Sequence, residues 1–100
     1  MKVTFRQSGG YAGLIRGCEL DTDSLSPDEA ITLQSLVEES GVLKAKDGHT
    51  PQGRDLLQYK ITVETSEGVY HVSFDDMTLP ESAAPLIEYL QSHSTPRSPR

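Results

Sequence analysis

The sequence predicts an α+β domain, a two-layer sandwich in which a four-stranded sheet carries two main helices on one face, in the order β-β-α-β-β-α. Three observations predict it. Along 57–64, Leu57, Tyr59, Ile61 and Val63 alternate with Gln58, Lys60, Thr62 and Glu64, the pattern of a half-buried strand in an antiparallel sheet. Ser26-Pro27-Asp28-Glu29 opens a run of apolar residues at helical spacing. Two strand-like runs flank Ser8-Gly9-Gly10-Tyr11-Ala12-Gly13-Leu14, where three glycines free the backbone for a hairpin loop.

In chain order, the first strand covers about residues 2–7, with Val3 and Phe5 inward and Thr4 and Arg6 outward. The second, about 14–20, places Leu14, Cys18 and Leu20 on one face with Arg16, and Asp21-Thr22-Asp23-Ser24 breaks it. The helix over about 27–39 has Ser26 as cap, Pro27 at its first position and Glu29 completing a capping box. Ala30, Leu33, Leu36 and Val37 form its buried stripe, Leu25 staples onto Ala30, and Gly41 ends it. Residues 41–55 read as a long polar loop, with Val42-Leu43 dipping back onto the core. After the strand at 57–64, Ser66-Glu67-Gly68 turns the chain. Val69 to Phe74 returns with Tyr70, Val72 and Phe74 on one face and Val69, His71 and Ser73 on the other. Thr78-Leu79-Pro80-Glu81 offers a second capping box, and Pro85 calls for a short turn or a helix restart before Leu86, Ile87 and Leu90 give the last helix, to about residue 91. If the first helix crosses over the sheet, the third strand runs parallel to the second. The 8–14 loop, the 41–55 loop and Asp75-Asp76 then share one rim.

One hundred residues make a single domain, here 1–91, and the apolar-free stretch 92–100 reads as a disordered tail. The formal net charge of −6 argues against a nucleic-acid binder, whose phosphates call for a basic face; it can favour a basic partner, and its simpler reading is that it keeps the protein soluble. The sequence holds no run of apolar residues long enough to span a bilayer, and the N-terminal residues have no apolar signal core. A single cysteine, Cys18, excludes an internal disulfide framework. These features read as a cytoplasmic protein.

The chemistry of an enzyme is missing. There is no HExxH, no Cys-x-x-Cys and no phosphate-binding loop, since the glycine stretch is followed by a strand rather than a helix. Cys18 lies in a strand and reads as a structural thiol. His49, His71 and His93 fall in a loop, a strand and the tail, without metal-ligand spacing. No cofactor or metal of its own is expected. Asp21 and Asp23 read as turn and helix-entry residues. Asp75 and Asp76 are two adjacent carboxylates where one suffices to end a strand. Their simplest reading is a solvated turn, and the alternative is a carboxylate offered to a metal or a basic group on a partner. Tyr11 stands between small residues that cannot cover it, as a surface aromatic or as a contact.

The chain as a whole resembles the emfourin-like protein inhibitors of thermolysin-family, protealysin-like metalloproteases. The likeness is carried by 5–13 (Phe5-Arg6-Gln7-Ser8-Gly9-Gly10-Tyr11-Ala12-Gly13), by Leu20 to Ala30 with its Asp21-Thr22-Asp23-Ser24-Leu25, by Leu33 to Glu38, by Gln58 to Glu64 and by the leucine-rich last helix. It covers about 2–91. The 41–55 loop is more polar than the family pattern, and 92–100 extends beyond it. The resemblance implies a small, monomeric, bacterial cytoplasmic inhibitor without enzymatic activity, whose partner holds a catalytic zinc on an HExxH helix. On that reading Gly9, Gly10, Tyr11, Ala12, Gly13 and Leu14 meet a hydrophobic substrate pocket, while Asp75 or Asp76 approaches the partner's zinc. Asp21 and Asp23 stand in reserve. The competing reading is a non-enzymatic adaptor that uses the same rim on a non-protease partner.

Overall fold

The computed structural model describes residues 1–9, 15–44 and 56–97. The elements are β1 (Lys2–Gly9), β2 (Ile15–Asp21), α1 (Pro27–Ser40), β3 (Leu57–Thr65), β4 (Gly68–Asp75), a 3₁₀ turn (Glu81–Ala83), α2 (Ala84–Ser92) and β5 (Thr95–Arg97). The four-stranded sheet and two helices thus follow the β-β-α-β-β-α order that the sequence predicts, and a short fifth strand extends the sheet. The spatial order is β4-β3-β1-β2-β5, with all neighbours antiparallel. Because β2 and β3 flank β1 on opposite sides, they run in the same direction without touching, and α1 carries the chain across.

Alternation along the strands becomes burial on one face. Val3 and Phe5 of β1, Tyr59, Ile61 and Val63 of β3, and Val72 and Phe74 of β4 are buried, and the helices meet them with Leu33, Val37, Ala83, Leu86, Ile87 and Leu90. Each of the Val, Leu, Ile and Phe side chains among them contributes about 1.5–3 kcal/mol through removal from water. Cys18 lies in the same core, its Sγ donating to the Leu90 carbonyl at 3.5 Å. The opposite face stays polar. There the Lys2 ammonium pairs with Glu19 at 3.1 Å, and the exposed Arg6 and Lys60 stand side by side in register.

The ends of α1 are built as expected. Ser26 Oγ accepts from the Glu29 amide at 3.3 Å, Pro27 fills the first turn, and Gly41 takes the left-handed conformation at φ 75°. Ser40 adds a tie that the sequence does not announce. Its buried hydroxyl donates to the Val37 carbonyl at 2.6 Å and accepts from the Val42 amide at 3.2 Å, which turns Val42 into the core. The Ser40 carbonyl accepts from Ser82 Oγ at 3.0 Å, joining the end of α1 to the 3₁₀ turn.

One expectation is corrected. The second capping box does not form: the 3₁₀ turn starts at Pro80 without a side-chain cap, and Thr78 bonds backward to Asp75 instead. Before Pro85 the chain makes the short 3₁₀ turn and restarts as α2. Beyond it, α2 runs to Ser92, and Thr95–Arg97 pair with Gly17–Ile15 as β5. Without β5, β2 would be an edge strand with unpaired amides and carbonyls, which a neighbouring segment can satisfy through its main chain without any apolar pattern. Proline is tolerated in such an edge position. Residues 10–14, most of the 41–55 loop (45–55) and 98–100 lie outside the described residues.

Gly17 faces Arg6 across β1 and β2, and a Cβ built on it would lie 2.5 Å from the Phe5 carbonyl oxygen. The obstacle is main chain and cannot rotate away. Gly17→Ala is therefore expected to lower stability by roughly 2 kcal/mol, measured as a shift in the urea midpoint at unchanged slope.

Candidate functional site

The strand register fixes which ends of the sheet meet. Gly9, the last residue of β1, pairs with Leu57, the first of β3, and Gln58 pairs with Asp75, the last of β4. Three chain ends therefore converge at one end of the sheet: the exit into the glycine loop, the entry from the 45–55 segment and the acidic turn after β4. Gly9 has φ 85°, and a Cβ there would lie 2.7 Å from the Leu56 carbonyl oxygen, so this exit from β1 requires glycine.

The two acidic residues occupy different environments. Asp75 is 1% exposed. Its Oδ1 accepts from the Met77 amide at 2.9 Å, the Thr78 amide at 2.9 Å and Thr78 Oγ1 at 3.1 Å, while its own amide donates to Thr78 Oγ1 at 3.0 Å. Its carbonyl accepts from the Thr78 and Leu79 amides at 3.2 and 3.0 Å. The carboxylate is enclosed by the turn it organises. Burying a charge is costly unless donors surround it, and here the turn supplies them.

Asp76 is exposed, and its carboxylate braces the rim. One oxygen accepts from the Tyr59 hydroxyl at 2.5 Å and the other from the Leu57 amide at 3.0 Å. Leu57 is the residue paired with Gly9, so a single strand residue lies between the acidic turn and the start of the glycine loop. Tyr59 anchors this bracket in the core, with its ring stacked on Phe5 at a centroid distance of 6.4 Å. Burial, and after it the Asp76 carboxylate, raise the Tyr59 phenol above the ordinary tyrosine range.

The sequence missed this bracket because Tyr59 reads only as one more inward residue of β3. A hydroxyl at a core position close to a strand end was the available signal, since a buried phenol needs a partner.

The other candidates are placed as follows. Gly10, Tyr11, Ala12, Gly13 and Leu14 lie outside the described residues, as does His49. Asp21 Oδ1 accepts from the Asp23 amide at 3.0 Å, and Asp21 pairs with Lys2, at the far end of the sheet from Gly9. The reserve carboxylates are thus a turn remote from the rim. His71 lies on the open face, with Nδ1 3.0 Å from Thr62 Oγ1, and His93 packs its ring on Tyr89 at 4.5 Å. A shallow depression on that open face is lined by Lys60, Ile61, Thr62, His71, Val72 and Ser73. Among the described residues no group of three or more His, Cys, Asp or Glu is arranged to hold a metal, and no helix is long and apolar enough to cross a membrane.

Fold and site together define a small two-layer α+β domain that gathers a glycine-loop exit and a braced acidic turn at one end of its sheet. The family model described as Emfourin matches residues 5–91, and the chain belongs to the Emfourin family. This bears out the resemblance read from the sequence, and at the level of the family it supports a protease-inhibitor-like role and a protease partner. No curated protein and no solved structure compared with the chain matches it.

Two measurements separate the roles of these groups. Asp75→Ala removes the carboxylate oxygen that three donors share, leaves the Met77 amide without its acceptor and is expected to cost about 2 kcal/mol, whereas Asp75→Asn, which keeps an oxygen in place, recovers part of the loss. Thermal or urea unfolding of the three proteins checks this. The Tyr59 phenol gives a pH test. Its folded value lies above the unfolded value of about 10, so folding holds the proton more tightly. The associated stability is complete below about pH 10 and is lost as pH rises through the folded value. Burial also raises the Tyr89 phenol, so phenolate absorbance is expected to show delayed tyrosine titration in the folded protein, and Tyr59→Phe to remove its last step.

Proposed function

We propose that this chain is a protein inhibitor of a thermolysin-like zinc metalloprotease, and that it blocks the active site with the Gly9–Leu14 hairpin loop and the acidic turn after β4. Membership of the Emfourin family carries the reading, and the convergence of Gly9, Leu57 and Asp75 at one end of the sheet supports it. In this mechanism Gly9, Gly10, Ala12 and Gly13 let the loop approach a cleft closely, Tyr11 fills an apolar substrate pocket, and Leu14 backs it.

Of the two carboxylates, Asp76 is the one assigned to the partner's zinc or its surroundings, because Asp75 is enclosed by its own turn. Each Asp76 oxygen accepts one hydrogen bond and retains a second lone pair. A carboxylate oxygen is an acceptable zinc ligand at about 2.0–2.2 Å. The bracket from Tyr59 and Leu57 holds that carboxylate in place before binding, so little side-chain freedom is lost on docking. Asp75 then acts as the positioning residue. The protein in this role is a monomer without catalytic activity or a cofactor of its own, working in the bacterial cytoplasm.

Titration of a thermolysin-like protease with the purified protein, followed with a peptide substrate, is expected to reach a one-to-one endpoint. Tyr11→Ala and Asp76→Ala, both checked for folding, are each expected to raise the inhibition constant by roughly tenfold or more, the effect of removing a central contact. Parent-like inhibition by both variants would remove the proposed contacts. No inhibition of any protease in a panel that includes the cognate enzyme would move the function to a non-protease adaptor.

A further inference from the structure

Met77 is 71% exposed, more than the other large apolar side chains exposed among the described residues, Ile31 and Val69. A single exposed apolar residue is common on protein surfaces and means nothing by itself. Three observations set Met77 apart. Its main chain is fixed, since its amide donates to Asp75 Oδ1 at 2.9 Å and the next amide, of Thr78, donates to the same oxygen at 2.9 Å. The fold buries an ionisable carboxylate to build this turn, and the one large apolar side chain between Asp75 and Thr78 is left in water. The residue before it, Asp76, is bonded to Leu57, the strand partner of Gly9, so the turn belongs to the same end of the sheet as the glycine loop.

We propose that Met77 is an apolar anchor of the inhibitory rim, entering an apolar pocket of the target protease beside the contact made by Asp76. The inference rests on the protease-inhibitor reading above and adds a specificity-determining residue to it. The turn holds the backbone in the shape used for docking, so association orders only the side chain. An unbranched thioether adapts to an irregular pocket where a branched side chain would need a matching shape. The flanking carboxylate of Asp76, held by Tyr59 and Leu57, sets the direction from which Met77 enters. Met77 therefore discriminates between proteases by the depth and polarity of that pocket, while Asp76 meets the part of the active site common to them.

The test compares parent protein with Met77→Gln, which keeps length and adds polarity without charge, and with Met77→Leu, which keeps apolarity. An exposed position predicts unchanged thermal unfolding for both. Met77→Gln is expected to raise the inhibition constant roughly tenfold or more, and Met77→Leu to stay within about threefold of the parent. A second readout needs no substitution. Oxidation of Met77 to the sulfoxide by dilute hydrogen peroxide, followed by mass spectrometry, is expected to slow markedly when the protease is bound. If the parent inhibits while Met77→Gln matches it and Met77 oxidises equally fast in the complex, this inference falls and the inhibitor reading stands. If the parent inhibits no protease, both fall together.

Discussion

Pairing of β1 along both of its edges is the constraint on which the rest of this structure depends. With β2 on one side and β3 on the other, β1 is the central strand, and its inward apolar side chains Val3 and Phe5 are almost completely removed from water. A one-residue slip of either ladder would turn those side chains to the open, polar face, so the register is strongly determined. That register decides the site. It sets Gly9 opposite Leu57 and, through β3, brings the end of β4 to the same end of the sheet. Gly9 and the acidic turn are distant in sequence and come to the same end of the sheet because each closes a strand whose partner is fixed. Rigid strands thus do the positioning that a loop cannot do for itself.

The adjacent carboxylates show how one residue type serves two ends. Asp75 spends its charge inward, where amides and a hydroxyl replace its water, and the gain is a closed turn with a defined shape. Asp76 keeps its charge at the surface, and its two hydrogen bonds restrict its orientation without burying it. The pair resolves the repulsion expected of neighbouring acids by facing them into different surroundings. The link through Tyr59 to Phe5 ties the surface acid to the middle of the core, so the orientation of the rim is coupled to the packing of β1 and β3.

Most of the architecture was legible because burial on one side of a strand and one stripe of a helix writes itself directly into the spacing of apolar residues. Leu57 to Val63 and Ala30 to Val37 are such cases, and the Ser26 cap was legible because serine, proline and glutamate at those spacings favour few other geometries. What was hidden depends on main chain or on context. Thr95–Arg97 pair through amides and carbonyls, which every residue carries, so nothing in Thr95-Pro96-Arg97 announces a strand. Thr78 satisfies the pattern of a helix cap as well as it satisfies the turn after Asp75, and its hydroxyl accepts from the Asp75 amide at 3.0 Å instead of capping a helix. A buried aspartate and an exposed one are written with the same letter, and only the closing of the turn around Asp75 distinguishes them. The proximity of Gly9 to Asp75 and Asp76 was legible only on condition of a crossover, which α1 provides.

The fifth strand gives the molecule a polarity that matters for handling it. Arg97 pairs with Ile15 at the sheet end where β2 begins, the end from which the glycine loop also departs, whereas Met1 is bonded to Thr22 at the opposite end. A fusion partner, affinity tag or surface linker joined beyond Arg97 would crowd the rim and compete with anything docking there. The same attachment ahead of Met1 would leave the rim facing solution, so the choice of terminus for immobilisation decides whether a binding experiment sees this end of the sheet at all.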